Sequence, residues 1–212
     1  ATAGVLTLAA TNWTNPGTIT ASNATLNFSG NWSDAGTLTI TNSTLNLGGT
    51  FTSGGINLAG FTRTGSTVNL TGTLTNTTLT LNTATGSWNF LGGTIVGGVL
   101  NFANGESLLP TSSGGTLNNV AMAQELVLNA TSAYVIIQGT TTFPAARMTG
   151  NATYLYFAPG YTLNTLISVE GATAGGRNII MAYGGVGTFT MGASGVIRVA
   201  AGSGGDLVIS NS

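Results

Sequence analysis

Three side chains that carry much of protein chemistry are missing from this sequence. Its 212 residues include no cysteine, no histidine and no lysine. Without cysteine there are no disulfides and no thiol catalysis, and without histidine there is no imidazole base and none of the commonest zinc sites. We therefore expect no metal and no cofactor, and a fold held by hydrogen-bond ladders and core packing.

Charge is scarce as well. Only 4% of the residues are charged, and four basic against five acidic side chains leave a net charge of −1, whereas a typical protein is about 25% charged. No basic patch exists to neutralise phosphates, so we expect no nucleic-acid partner. Low net charge favours association, and other copies of the chain are the expected partners.

Signals for helices are weak. The sequence contains no run of 18 or more apolar residues, so we predict no transmembrane helix and no membrane insertion. Lysine is absent and glutamate is scarce, which leaves the usual helix formers poorly represented. We predict little or no helix.

A short phrase, Gly-Thr-Leu/Ile, recurs along the chain. Its copies begin at Gly17, Gly36, Gly72, Gly93 and Gly115, with Gly55-Ile56 filling the one gap. The successive intervals are all about 20 residues, and a nearly fixed period in this range is typical of repeat proteins. The sequence therefore predicts a solenoid.

Within each repeat, apolar and polar residues alternate. The segment 17–35 reads GTITASNATLNFSGNWSDA and 36–54 reads GTLTITNSTLNLGGTFTSG. This period of two indicates strands with one buried face, and glycine and asparagine mark the turns between them. The fold class predicted is therefore all-β.

Like residues recur at the repeat length. Trp13, Trp32, Phe51 and Leu70 follow one another at a constant interval, and the same interval separates Asn23 from Asn42. Such ladders favour parallel coils stacked in register over an antiparallel sandwich. Because parallel crossovers are overwhelmingly right-handed, we predict a right-handed parallel β-helix of about ten coils of roughly 20 residues. At the usual strand spacing it would be roughly 50 Å long.

No linker or change in composition divides the sequence. The Gly-Thr-Leu/Ile phrase is regular over residues 1–120 and degenerates over 121–212, where strand-like runs continue at a similar spacing. We predict a single β-solenoid domain spanning 1–212.

Two stretches carry a resemblance. GSTVNLTGTLTNT (65–77) and GSWNFLGGTIVGG (86–98) resemble β-helical repeats of large secreted bacterial surface proteins of the filamentous-haemagglutinin and autotransporter-passenger kind. The resemblance covers most of the chain and is strongest over about 17–120. It implies a stalk, adhesin or filament at a bacterial cell surface or outside the cell, and it supplies no catalytic motif.

Two sets of residues are candidate sites. The row Trp13, Trp32 and Phe51 could form an exposed stacking platform for sugars, or it could pack in the core at one corner of the coil. Asn23 and Asn42 lie in Asn-x-Thr sequons, but they also fit a ladder of side-chain amides bonded from coil to coil at a turn. We favour core packing for the first set and the ladder for the second.

Two further functions have weaker support. Ranks of Thr-x-Thr pairs resemble an ice-binding face, although the coil length drifts; the pairs are Thr18/Thr20, Thr37/Thr39, Thr73/Thr75 and Thr78/Thr80. Glu106 and Glu125 are one repeat length apart, so they could meet as the two carboxylates of a polysaccharide-cleaving enzyme. Isolated, solvated charges explain them more simply, and we expect no enzyme.

The leading expectation is a structural role. A stiff rod of stacked coils would form part of a cell-surface stalk, or a filament by end-to-end stacking. The segments 5–8 and 207–209 are apolar and carry no charged cap, which favours stacking on other copies or on further coils of a longer chain. The alternative is an adhesin that binds glycan or another surface through an outer face.

Overall fold

The structure is a computed structural model, and it describes residues 2–170, 176–200 and 206–211. The chain forms two compact units, Ala1–Leu108 and Leu109–Ser212. Each unit consists of parallel strands stacked coil upon coil. Together they contain about eight turns of a β-solenoid.

The first unit is built from short strands and two single-turn 3-10 helices. The helices are Ser53–Gly55 and Leu58–Gly60. The strands are β1 (Thr2–Leu8), β2 (Asn12–Asn15), β3 (Thr18–Phe28), β4 (Asn31–Asp34), β5 (Thr37–Thr41), β6 (Thr44–Leu47), β7 (Thr50–Thr52), β8 (Phe61–Thr64), β9 (Thr67–Leu70), β10 (Thr73–Thr75), β11 (Thr78–Leu81), β12 (Trp88–Phe90), β13 (Thr94–Val96) and β14 (Val99–Phe102). A further strand, β15, runs over Leu108–Pro110.

In its described residues the second unit contains strands only. They are β16 (Thr116–Asn118), β17 (Ala121–Met122), β18 (Leu126–Leu128), β19 (Tyr134–Gln138), β20 (Ala145–Met148), β21 (Tyr154–Phe157), β22 (Thr162–Leu163), β23 (Leu166–Val169), β24 (Arg177–Met181), β25 (Thr190–Met191), β26 (Val196–Val199) and β27 (Leu207–Asn211).

One coil of the first unit shows how the sequence produces the fold. Strands β5, β6 and β7 follow one another around the coil, and each then pairs in parallel with its counterpart in the next coil: β5 with β8, β6 with β9 and β7 with β10. Asn42 separates β5 from β6 with a left-handed φ of +47°, a conformation that asparagine tolerates better than most residues. A Gly-Gly turn separates β6 from β7.

The second unit repeats this arrangement. One of its sheets has the strand order β18-β20-β23-β26, and another has β16-β19-β21-β24-β27. Residues pair in register from coil to coil, as Val135 does with Leu155 and Leu155 with Ile179. Each coil again contributes one strand to each of these sheets.

The core of the first unit is a set of apolar columns. Phe28, Leu47, Leu70 and Phe90 lie one above another in register, and each is at most 1% exposed. The asparagines that precede them in sequence are less buried: Asn27, Asn46 and Asn89 are half-buried, and Asn69 is 9% exposed. Burying a Leu or Phe side chain contributes about 1.5–3 kcal/mol, so each column is a repeating source of stability.

The structure confirms the predicted all-β class and the parallel coils of about 20 residues. The number of turns is about eight, compared with the ten coils expected. Coil length varies because the two 3-10 helices lengthen one coil of the first unit. Leu45 pairs with Leu26 in the preceding coil and with Val68 in the following one, and Val68 is further from Leu45 in sequence than Leu26 is. The right-handed sense stays a prediction. No helix in the described ranges is long and apolar enough to cross a membrane.

Candidate functional site

The aromatic row predicted from the sequence lies in the core of the first unit. Trp13 stacks on Trp32 with ring centroids 5.5 Å apart, and Trp32 stacks on Phe51 at 4.3 Å. Trp32 is 3% exposed and Phe51 1%, while Trp13 is half-buried. The indole N–H of Trp32 donates to the carbonyl of Gly48 at 2.8 Å. The rings of Trp32 and Phe51 are therefore not available to stack against a sugar.

Beyond Phe51, the aromatic row does not continue to Leu70, as the constant interval in the sequence predicted. The residue above Phe51 is Leu74, not Leu70, and Ile95 lies above Leu74. Leu70 lies instead above Leu47 in the neighbouring sheet. The cause is the coil that the 3-10 helices lengthen, because the extra residues move the register away from the constant interval of the first repeats.

Asn23 lies within β3 and Asn42 follows β5, and both lie at the corner where the chain passes from the strand segment paired with one neighbour to the segment paired with the next. Both have left-handed backbones, with φ of +50° and +47°, and the next residue in the stack, Gly65, has φ of +60°. Asn23 donates from its side-chain amide to the hydroxyl of Ser22 at 3.2 Å. The structure thus gives these two asparagines a backbone role at the corner.

An amide ladder is present a few residues further along the sequence, at the central asparagine of the Leu-Asn-Phe/Leu phrase. Asn46 donates to Asn27 at 2.7 Å, Asn69 donates to Asn46 at 2.7 Å, and Asn89 donates to Asn69 at 2.9 Å. Each of these side-chain bonds joins two successive coils. The signal was in the sequence, since Asn27 and Asn46 are separated by the same interval as Asn23 and Asn42.

Removing one rung of this ladder should be costly. In Asn46→Ala, the amide oxygen of Asn27 loses its donor and the amide N–H of Asn69, which is 9% exposed, loses its acceptor. We expect the free energy of unfolding to fall by about 1–3 kcal/mol, the cost of leaving buried polar groups unpaired. Urea unfolding followed by circular dichroism measures this change.

Asn31→Ala is the matched control. The exposed Asn31 also donates to the preceding coil, to Asn12 at 3.1 Å, but water can replace that bond. The control should cost about 0.5 kcal/mol or less. Equal losses in the two variants would contradict a stabilising role of the ladder.

The two glutamates of the enzyme hypothesis each have their own partner. Glu106, in the first unit, accepts a hydrogen bond from the hydroxyl of Ser87 at 2.5 Å. Glu125, in the second unit, lies 4.0 Å from the guanidinium of Arg147. Among the described residues, no group of three or more His, Cys, Asp or Glu side chains could hold a metal ion.

The Thr-x-Thr pairs do not form one continuous rank. Thr18 lies beside Thr37, with hydroxyl oxygens 2.8 Å apart, and Thr20 lies beside Thr39. Thr73 belongs to a different sheet, in the row formed by Thr50, Thr73 and Thr94. Thr78 and Thr80 belong to a third sheet, in which β11 pairs with β14.

A charge cluster lies on the sheet β18-β20-β23-β26 of the second unit. Arg147 donates from Nε and Nη2 to one carboxylate oxygen of Glu170, at 2.8 and 2.5 Å. The hydrogen bond from Arg147 is the main cause that lowers the pKa of Glu170 below its ordinary value, with smaller effects from Ser168 and Arg198. The same bond raises the pKa of Arg147.

This cluster predicts acid sensitivity. Because the folded pKa of Glu170 is below the unfolded one, its contribution to stability is present above the ordinary value of 4.5 and is lost as the pH falls through the lowered value. In Glu170→Gln, the difference in urea midpoint between pH 7 and pH 3 should be smaller than in the unmodified chain. Glu125→Gln, which removes only the 4.0 Å contact, should keep that difference. An unchanged pH dependence in Glu170→Gln would contradict the assignment.

Sequence reasoning missed a second aromatic cluster, in the second unit. Tyr134, Tyr154 and Tyr156 are half-buried on the outer face of β19 and β21, and Tyr183 is 38% exposed. The rings of Tyr154 and Tyr156 are nearly parallel, with centroids 5.9 Å apart, and the ring centroids of Tyr156 and Tyr183 are 4.4 Å apart. We call these four residues the tyrosine cluster. A clue was the alternation Tyr154-Leu155-Tyr156-Phe157, with Tyr134 one coil length before Tyr154.

A cleft of about 340 Å³ follows the same two strands. Residues 139–143, which come directly after β19, form one side, and residues 160–165, which come soon after β21, form the other. Exposed Thr140, Thr142, Thr162 and Asn164 line it together with buried Phe143 and Tyr161. The phenol of Tyr161 donates to the carbonyl of Thr141 at 2.8 Å, and burial raises the pKa of Tyr161 to about 12.

No family model, no curated protein and no solved structure matches this chain.

Proposed function

We propose that this chain is a structural, non-catalytic protein located outside the cell, as part of a cell-surface stalk or of a filament formed by end-to-end stacking of copies. The observation that supports this proposal is the repetition of one contact from coil to coil: Trp13 on Trp32, Asn27 on Asn46 and Thr18 on Thr37. A contact that repeats in this way can be continued by a further coil, whether from the same chain or from another copy.

Stacked coils suit a mechanical role. Within each unit, described coils are joined by parallel backbone ladders, and the first unit adds fully buried columns such as Leu26–Leu45–Val68. Bending such a stack would break many contacts at once. Side-chain bonds between successive coils, such as the amide ladder, add to this resistance. Protease resistance and stiffness are the properties expected of such an element.

The extracellular location is part of the proposal. Its support is the resemblance of residues 65–77 and 86–98 to repeats of secreted bacterial surface proteins, together with an outer surface rich in threonine and asparagine and only 4% charged residues in the chain. A surface of this kind presents hydrogen-bonding groups without strong electrostatic repulsion between neighbours.

Electron microscopy of the purified chain over a range of concentrations tests the filament. We expect straight, unbranched filaments whose power spectrum contains an axial spacing of about 4.8 Å, the separation of neighbouring strands. Discrete particles at every concentration would contradict end-to-end assembly.

Adhesion through an outer face is the second candidate function. The aromatic row that first suggested it is largely buried, but the half-exposed tyrosine cluster of the second unit favours it on different residues. Adhesion and a structural role are compatible, since a stiff element can carry a binding surface along its side.

A further inference from the structure

The tyrosine cluster follows from the register of the second unit. Tyr134 pairs with Tyr154, and Tyr156 lies two residues beyond Tyr154 on the same face of β21. Leu155 and Phe157, which alternate with these tyrosines, point inward and are fully buried. The buried residues therefore fix the strands, and the tyrosine rings are left on the outer face.

The rings are held against one another rather than spread over the surface. The centroids of Tyr134 and Tyr156 are 5.6 Å apart, those of Tyr154 and Tyr156 are 5.9 Å apart, and Tyr183 covers Tyr156 from a later coil at 4.4 Å. Ring contacts of this kind restrict the rotamers of their members. A ligand would therefore meet a surface that is already ordered, at a small entropic cost.

The phenol groups of the cluster are free to bind. Within the described parts of the chain, none of the hydroxyls of Tyr134, Tyr154, Tyr156 and Tyr183 has a hydrogen-bond partner, whereas the buried Tyr161 donates to Thr141. Desolvation is the main cause that raises the pKa of Tyr156, with contributions from its tyrosine neighbours, so that hydroxyl stays protonated at neutral pH. Each phenol can donate and accept a hydrogen bond.

The two segments that carry most of the cluster and the cleft are uncharged, and the nearest charged residue on the coil of Tyr183 is Arg177, which precedes the register partner of Tyr154. Residues 134–146 and 154–169, which include β19, β21 and both sides of the cleft, contain no acidic or basic side chain. A phosphate, a sulfated polymer or a nucleic acid would find no counter-charge on these two segments. The chemistry of the segments matches a neutral ligand with many hydroxyl groups.

The cleft follows the cluster closely along the chain. One side begins at Gly139, directly after β19, and the other begins at Gly160, shortly after the end of β21 at Phe157. Threonine hydroxyls and the amide of Asn164 supply donors and acceptors, and Phe143 and Tyr161 supply apolar surface. A concave site that combines apolar surface with a few polar groups is the usual form of a ligand pocket.

We propose that the tyrosine cluster and the adjoining cleft bind a neutral oligosaccharide, with the C–H faces of the sugar rings packed on the tyrosines and the sugar hydroxyls bonded to the threonines and Asn164. The inference rests on the adhesive candidate function and does not require end-to-end stacking. The binding site then lies in the second unit rather than at Trp13, Trp32 and Phe51.

Titration of the dilute chain with maltohexaose, cellohexaose and hexa-N-acetylchitohexaose, followed by isothermal calorimetry, tests the proposal. We expect at least one of these neutral hexasaccharides to bind, and hexagalacturonate, which is negatively charged, to bind at least tenfold more weakly. Tyr154→Ala should weaken binding about tenfold through the loss of a stacking ring. Tyr154→Phe, which keeps the ring, should weaken it less.

Two further variants keep the test decisive. Tyr183→Ala removes the most exposed ring and should also weaken binding, even if Tyr154→Ala folds poorly. Trp13→Ala, in the first unit, should leave the affinity unchanged. The proposal is overturned if no neutral probe binds, if hexagalacturonate binds equally well, or if both alanine variants keep full affinity. Filament formation is scored separately by microscopy, so failure of one idea is distinguishable from failure of the other.

Discussion

Replacing Trp32 by alanine is expected to lower the free energy of unfolding by about 3–5 kcal/mol, which is the range for removing a large buried aromatic side chain. Trp32 is 3% exposed and lies between Trp13 and Phe51 in the stack. It also packs edge-on against Phe28, at 5.1 Å between centroids. The alanine variant loses all three ring contacts and leaves the carbonyl of Gly48 without its indole donor.

Trp13→Ala is the matched control for this prediction. Trp13 makes an equivalent hydrogen bond, from its indole N–H to the carbonyl of Ser29 at 2.8 Å, but its ring is half-buried and contacts only Trp32 and Phe28 among the described rings. We expect a smaller loss, about 1–2 kcal/mol. Urea unfolding followed by circular dichroism compares the two. Equal losses, or a loss below about 1 kcal/mol for Trp32→Ala, would contradict the core role of the row.

Gly49→Ala should be equally severe for a different reason. A Cβ atom at Gly49 would lie 2.1 Å from the carbonyl oxygen of Gly30 and 2.7 Å from its nitrogen, in the preceding coil. Both atoms are backbone, so no side chain can move aside to relieve the contact. The left-handed φ of +63° adds about 1–2 kcal/mol for any residue with a Cβ. We expect a total loss of about 3 kcal/mol or more.

Gly54→Ala separates this effect from the general cost of replacing glycine. A Cβ at Gly54 meets nothing within 4 Å, and its backbone is not left-handed. The urea midpoint of Gly54→Ala should stay close to that of the unmodified chain, within about 0.5 kcal/mol. If Gly49→Ala were as stable as Gly54→Ala, the coils could not be stacked as closely as described.

The architecture of this protein is readable from its sequence because the two signals involved are local and repeated. Alternation in segments such as Thr44–Leu47 sets which side chains face inward, and the recurrence of like residues sets which coils stack. Neither signal depends on contacts between distant and unrelated parts of the chain. The predicted class and coil length are therefore confirmed by the structure.

The repeat period does not predict the pairing register of every coil. A constant interval places Leu70 above Phe51, but the two 3-10 helices lengthen that coil and Leu74 takes the position. Asn57 supports the added turn, since its side chain accepts from the N–H of Gly60 and donates to the carbonyl of Gly36. The sequence between Phe51 and Phe61 does not alternate as a strand does, so the number of residues added to this coil cannot be predicted from it.

The sequence indicates the candidate sites less directly than it indicates the fold. Asn23 and Asn27 each recur one repeat later, as Asn42 and Asn46, so the sequence does not distinguish them. Only the side-chain contacts show that Asn27 joins the amide ladder while Asn23 lies at the corner. The tyrosine cluster depends on Tyr183, which follows Tyr156 by clearly more than one coil length and therefore lies outside the regular period. Contacts between residues at irregular spacing are set by the coil geometry, which periodicity alone does not give.

A pair of engineered cysteines tests the central claim, parallel coils in register, most directly. The chain has no cysteine of its own, so the only disulfide possible is the introduced one. Thr18 and Thr37 are register partners with exposed side chains, and a strand spacing of about 4.8 Å between their Cα atoms suits a disulfide. In Thr18→Cys/Thr39→Cys, the shift of two residues puts the Cα atoms about 8 Å apart, too far to bridge.

Non-reducing electrophoresis and mass spectrometry after mild oxidation give the answer. We predict that the Thr18/Thr37 pair closes an intramolecular disulfide nearly completely and that the Thr18/Thr39 pair does not. A Thr18/Thr37 pair that stays reduced, or two pairs that oxidise to the same extent, would contradict the in-register stacking of coils.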